Sequence, residues 1–177
     1  MSVRLEPVYL ANVLLFVQKV ETITALPFVS RGCHEAMLTL KTNPAVFSES
    51  PRDILTYFPN INTMVIQSLH CFENAPALPD TVTSLVVLCM SLRVVTETSR
   101  QFTDRVVEIR SCELTNNHEA DLSLFHRLKR VTFDGVIPTR VTFPAHRLKH
   151  VTVYCQYNCG SEFNAFPSDC VEEIVFI

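Results

Sequence analysis

The sequence predicts an α/β solenoid in which a six-strand parallel sheet, built from short repeats, follows an N-terminal group of helices. Two octapeptides twenty residues apart are near copies: His126-Arg127-Leu128-Lys129-Arg130-Val131-Thr132-Phe133 and His146-Arg147-Leu148-Lys149-His150-Val151-Thr152-Val153. An apolar frame at relative positions one, four and six recurs along the chain, and an aromatic residue or leucine precedes each copy. One such strand cannot bury its apolar side alone, so the units must stack and share a core.

The division falls at residues 1–57 and 58–177. In the first part Pro7 suits a first helical position, and Leu10, Val13, Leu14 and Val17 mark one face at helical spacing. A second helix is expected over Glu21 to Val29, with Pro27 ending or kinking it. Ser30 is placed to cap a third helix that runs through Cys33, Met37 and Leu38 to Leu40, before Asn43-Pro44 stops it. Ser50-Pro51-Arg52-Asp53 reads as a capping box that opens a last turn of helix, Asp53 to Tyr57.

In the second part the frame is Ile61, Met64, Ile66; Val82, Leu85, Val87; Asp104, Val107, Ile109; Leu128, Val131, Phe133; Leu148, Val151, Val153; and Val171, Ile174, Phe176. Only Asp104 breaks it. The preceding residues Phe58, Leu78, Phe102, Phe125, Phe143 and Phe166 are expected to wedge into the interior where each return segment turns back into a strand.

These phased copies resemble the leucine-rich-repeat family, and more narrowly its short-repeat, BspA-like branch. The resemblance covers about residues 58 to 177 and implies a sheet on the concave face of a solenoid. The ninth position, usually Asn in that family, is here Leu69, Met90, Cys112, Val136 and Gln156, so the return segments must satisfy their backbone groups by other means. The N-terminal part has two readings. It closes the open end of the stack as a cap, or it resembles an F-box, the motif that docks onto the adaptor subunit of cullin-RING ubiquitin ligases. The residues that carry the second resemblance are Leu5-Glu6-Pro7, Leu10, Val13-Leu14-Leu15, Val17 and Val29-Ser30-Arg31. Cys33 stands where that family usually has Trp.

Composition narrows the function classes. The 47% apolar content suits a buried parallel sheet, and the formal charge of -3 gives no net attraction to nucleic acid or to an anionic membrane. Seven Cys without a CxxC pair, and a start from Met1 to Pro7 that is a poor secretory leader, point to a reducing compartment, cytoplasmic or nuclear. The longest apolar stretch, Val8 to Val17, is too short to span a bilayer. Cys89, Cys112 and Cys155 recur just after repeat strands and read as packing residues. Cys155, Cys159 and Cys170 with His150 read poorly as metal ligands. His126 and His146 hold equivalent places and are expected to form an exposed ladder. No nucleophile, phosphate-loop or dinucleotide signature occurs, so no catalytic residue and no cofactor is assigned. The run Asn117, His118, Glu119, Asp121 reads as a solvated loop.

Residues between the frame positions are expected on the solvent side of the sheet. There Arg105, Glu108, Arg110, Lys129, Arg130, Lys149 and His150 form a mostly basic zone, which suits an acidic peptide or acidic protein surface. Nucleic acid fits less well, because no aromatic residues interleave with the cations. The expected function is a non-catalytic protein-interaction module, with a ubiquitin-ligase substrate receptor as the alternative. The last strand, Val171 to Ile177, has no polar unit behind it, so Val171, Glu173, Val175 and Ile177 are expected to pair two copies into a dimer.

Overall fold

Four helices open the chain, and each starts where its local chemistry favours it. They are α1 (Pro7–Leu14), α2 (Val20–Val29), α3 (Arg31–Thr39) and α4 (Pro51–Tyr57). The computed structural model describes residues 6–48, 50–72, 77–91, 102–113, 119–135, 138–154, 166–167 and 169–177. Ser30 caps α3, its hydroxyl accepting from the Cys33 N–H at 3.1 Å, and Ser50 caps α4 by accepting from the Asp53 N–H at 3.3 Å. Helix α4 begins at Pro51 rather than at Asp53, because proline's fixed φ and missing N–H suit the first helical position. Pro27 does not end α2, which continues to Val29. Its missing N–H costs α2 one i→i−4 hydrogen bond, and only two residues of helix follow it.

Among the described residues nine strands follow: β1 (Thr63–Ile66), β2 (Ser84–Val87), β3 (Met90–Ser91), β4 (Val106–Glu113), β5 (Glu119–Asp121), β6 (Arg130–Asp134), β7 (Arg140–Thr142), β8 (Leu148–Tyr154) and β9 (Val171–Phe176). The main sheet has the order β1-β2-β4-β6-β8-β9, with β3 beside β4, and every pairing in it is parallel. The six expected strands are therefore present in sequence order, which makes the α/β arrangement a solenoid-like stack.

One continuous core runs from Ala11 and Ile23 in the helices to Val171 in β9. Frame residues fill it: Ile61, Met64 and Ile66, then Val82, Leu85 and Val87, Leu128, Val131 and Phe133, and Leu148, Val151 and Val153 are all buried. Phe58, Leu78, Phe102, Phe125 and Phe166 are buried as wedges, whereas Phe143 is only half-buried. Phe102 stacks on Phe72, ring centroids 4.1 Å apart. Leu69, Met90 and Cys112 at the ninth position are buried as well, so apolar contact occupies the place of an asparagine ladder there. Val136 and Gln156 lie outside the described residues.

The third repeat departs from the expected frame. Asp104 is exposed, Val107 is half-buried, and the buried residues are Val106, Ile109 and Cys112. The cause lies in the strand pairing. Leu85 pairs Val106 while Val87 pairs Ile109, and Ile109 pairs Val131 while Cys112 pairs Phe133. Each interval of three residues on β4 faces two on its neighbour, so an irregularity on each side keeps core residue against core residue. Val65 and Val86, expected on the solvent side, are buried; they are register partners and cover one another. Glu119–Asp121 is a strand rather than a loop, with Ala120 buried, and it pairs with β7 in a separate two-stranded parallel sheet. Asn117 and His118 lie outside the described residues.

The edge of the main sheet at β1 is closed by the segment after α3. The Lys41 carbonyl accepts from the N–H groups of Asn62 and Thr63, both at 3.0 Å, and Thr42 bridges Thr63 in parallel. The buried Asn43 side chain completes the closure, using its amide as a strand would use its backbone.

Candidate functional site

Strand register puts the expected binding residues into two neighbouring rows on the solvent side of the main sheet. One row follows the pairings Glu108↔Arg130, Arg130↔His150 and His150↔Glu173 across β4, β6, β8 and β9. Its charges are acidic at both ends and basic in the middle. Glu108 Oε1 accepts from Arg110 Nε at 3.0 Å, and its Oε2 lies 3.4 Å from Arg130 Nη1. At the other end His150 Nδ1 is 2.6 Å from Glu173 Oε2. Two guanidinium groups therefore share one carboxylate, and the imidazole has its own.

The second row is different. Lys129 and Lys149 are exposed neighbours whose backbones are joined by the Lys149 N–H donating to the Lys129 carbonyl at 2.9 Å. Among the described residues neither ammonium makes a salt bridge. Adjacent parallel strands set side chains in register about 5 Å apart, so two like charges stand together at the surface, with Glu172 of β9 next in the row beside Lys149 but not bridged to it. Beside them a groove of about 220 Å³ is lined by Thr63, Ser84, Val107, Glu108, Lys129 and Arg130. This rim is the part of the face best able to take an anionic group.

Arg105 stands apart from that rim. Its guanidinium donates to the Val82 carbonyl at 2.8 Å and to the Pro79 carbonyl at 3.3 Å, and lies 3.9 Å from Asp80. Arg127 reaches the Thr83 carbonyl at 2.9 Å, and Arg147 reaches that of Val171 at 2.9 Å. These three arginines tie repeats together. The two histidines of the duplicated octapeptide also part company: His126 Nδ1 pairs with Asp104 Oδ1 at 2.6 Å, whereas His146 Nε2 points at the Leu128 carbonyl at 2.5 Å. They form no ladder. Cys112 is buried, while Cys89 and Cys170 are half-buried. Burial chiefly, with the Asp169 carboxylate beside it, holds the Cys170 thiol above the ordinary thiol range. Among the described residues no cluster of three or more His, Cys, Asp or Glu could hold a metal ion; Cys155 and Cys159 lie outside them.

The helices present a second surface. Val8, Tyr9 and Val13 on α1, Phe16 after it, and Val20, Phe28 and Val29 on α2 are all exposed, Phe16 to 83% and Phe28 to 88%. Hydrophobic patterning of the sequence placed Leu10, Val13, Leu14 and Val17 on one face; Leu10, Leu14 and Val17 pack on the core, but Val13 lies on this outer face instead, because the short helix turns it away from α3 and the core. The signal was available in α1, where apolar residues occupy both sides of a short, uncharged helix. No helix is long and apolar enough to cross a membrane among the described residues.

Compared with known protein families, curated proteins and solved structures, this chain matches none of them.

Proposed function

We propose that the chain is a non-catalytic, intracellular protein-interaction module of the leucine-rich-repeat type, its helices acting as the N-terminal cap, and that it holds an acidic segment of a partner protein against the sheet. The observation that carries this reading is the Lys129 and Lys149 pair, adjacent, exposed and without a salt bridge among the described residues. Arg110 and Arg130 add positive charge beside it, only part of which Glu108 offsets. Complementary charge of this kind mainly sets the association rate and the choice of partner. The test is titration of a fluorescent oligoglutamate peptide into the protein. Saturable binding that weakens with salt and is lost in Lys129→Glu/Lys149→Glu supports the reading, and equal binding by the wild type and the double variant removes it.

A second reading is favoured by a separate observation, the exposed apolar surface of α1 and α2. Large apolar side chains left exposed on successive helices suit an interaction site. Their exposure supports the resemblance of the head to an F-box, with a cullin adaptor subunit as partner and the sheet as substrate receptor. Cys33 is buried and its Sγ accepts from the Ser30 hydroxyl at 3.2 Å, so an aromatic anchor must come from elsewhere, Phe16 and Phe28 being the exposed candidates. Leu5, which also carries that resemblance, lies outside the described residues. Mixing the purified chain with a cullin adaptor subunit tests this reading, and no complex at tens of micromolar removes it.

A further inference from the structure

The residue inserted into β4 leaves a mark on the solvent side of the sheet. Leu85 pairs Val106 and Val86 pairs Glu108, so Val107 has no register partner on β2. Such an insertion bends its strand and re-aims the side chains beside it. The groove of about 220 Å³ lies at this point, lined by Val107 and Glu108 of β4, Thr63 and Ser84 of β1 and β2, and Lys129 and Arg130 at the start of β6.

The groove holds more hydrogen-bond donors than its own residues use. Among the described residues the Ser84 hydroxyl and the Lys129 ammonium have no partner, while the Thr63 hydroxyl donates to Asn62 Oδ1 at 3.1 Å. Arg130 commits only Nη1, at 3.4 Å from Glu108 Oε2, and keeps its remaining N–H groups. Glu108 is the one acid in this lining, and both of its oxygens are turned to guanidinium groups, those of Arg110 and Arg130. Lys129, Arg130 and Arg110 against one carboxylate leave an excess of two positive charges. Farther along, Lys149 and Glu172 have opposite signs, so that excess belongs to the groove.

Building on the reading of this face as a seat for an acidic segment, we propose that the groove takes the phosphate of a phosphorylated serine or threonine in that segment. A glutamate brings one charge and two oxygens. A phosphate ester brings a charge of about −1.5 to −2 near pH 7 and three strong acceptor oxygens. That matches both the charge excess and the three kinds of donor that converge here, hydroxyl, ammonium and guanidinium. Hydrogen bonds between ionised partners are also the stronger class. Val107 adds an apolar wall for the carbon that carries the ester. No aromatic side chain is in this lining, so a nucleotide base has no platform on which to stack.

Fluorescence anisotropy on the whole chain tests this with three labelled peptides of one acidic sequence, carrying serine, glutamate or phosphoserine at the centre. The phosphoserine peptide should bind about tenfold tighter than the glutamate peptide. Ser84→Ala should cut that ratio to about threefold, and Ser84→Asp, which puts a carboxylate into the groove, should bring it to about one. Unchanged thermal melts confirm that both variants fold. Binding of the glutamate peptide with no phosphoserine advantage overturns this inference and leaves the acidic segment on the basic rim. No binding by any of the three overturns both readings. A phosphoserine advantage that survives both substitutions places the phosphate elsewhere and overturns the groove. Displacement of the phosphopeptide by inorganic phosphate at equal concentration assigns the groove to the free ion and overturns the phosphorylated segment.

Discussion

The side chain of Asn43 and the backbone of Val65 are joined by two reciprocal hydrogen bonds. Asn43 Oδ1 accepts from the Val65 N–H at 2.8 Å, and Asn43 Nδ2 donates to the Val65 carbonyl at 2.8 Å. The same Nδ2 reaches the Phe47 carbonyl at 2.7 Å. A buried amide thus stands in for one residue of a neighbouring strand and ends the sheet.

Asn43→Ala leaves one donor, the Val65 N–H, and three acceptors, the carbonyls of Val65, Phe47 and Pro44, without their partner in a buried place. We expect a loss of about 3 kcal/mol of unfolding free energy, since each unsatisfied buried group costs about 1 to 3 kcal/mol and some regain water. Urea denaturation measures it. A loss below about 1 kcal/mol would mean that solvent reaches the edge freely.

The shifted core of β4 gives opposite expectations for two nearby residues. Asp104→Leu would complete the sequence frame, yet Asp104 is exposed beside His126, so stability should change by no more than about 0.5 kcal/mol. Val106→Ala removes buried methyl groups and should cost about 2 kcal/mol. Denaturant midpoints that rank the two variants the other way would contradict the observed register.

Glu108 restrains the basic rim by engaging Arg110 and Arg130 together. Glu108→Gln removes that carboxylate charge and should tighten oligoglutamate binding several-fold at low salt, an advantage that shrinks as salt screens it. The melting temperature should move little, because exposed ion pairs contribute at most about 1 kcal/mol. Weaker binding by this variant would show that Glu108 itself contacts the ligand.

Cys170 should alkylate more slowly in the folded chain than in urea at pH 8, because its thiol is held above the ordinary range by burial first and by Asp169 second. The folded state then binds the proton more tightly than the unfolded state. The resulting stabilisation is present below the ordinary thiol pKa and is lost as pH rises through the raised folded value. Site-resolved mass spectrometry of iodoacetamide labelling reads the rate. Equal rates in the two states would contradict the shift.

The strands were legible wherever the inward residues keep the spacing one, four, six, because that spacing is itself the inward side of a strand preceded by a turn. It fails at β4, where two pairing irregularities move the core to Val106, Ile109 and Cys112, and no local pattern announces a shift imposed by strands on both sides. Strands β5 and β7 escaped notice for another reason. Each is three residues long with one central apolar residue, Ala120 or Val141, too little to separate a strand from a loop. In the candidate site, the Lys129 and Lys149 row could be read from the duplicated octapeptide, since equivalent residues of successive repeats stack. The engagement of Arg130 by Glu108 could not, because it exists only through the shifted register of β4.

Strand β4 works as a vernier between two scales. On one side β1 and β2 run in step, and on the other β6, β8 and β9 run in step. Only β4 steps three residues for their two, and it does so against both neighbours. A length change in one block can therefore be absorbed at this strand without transmission to the other, so the two blocks are free to drift apart in sequence while sharing one core. The same irregularities interrupt the regular ladder hydrogen bonds where β4 meets β2 and β6, and β3 adds a further parallel pairing to β4 beyond them.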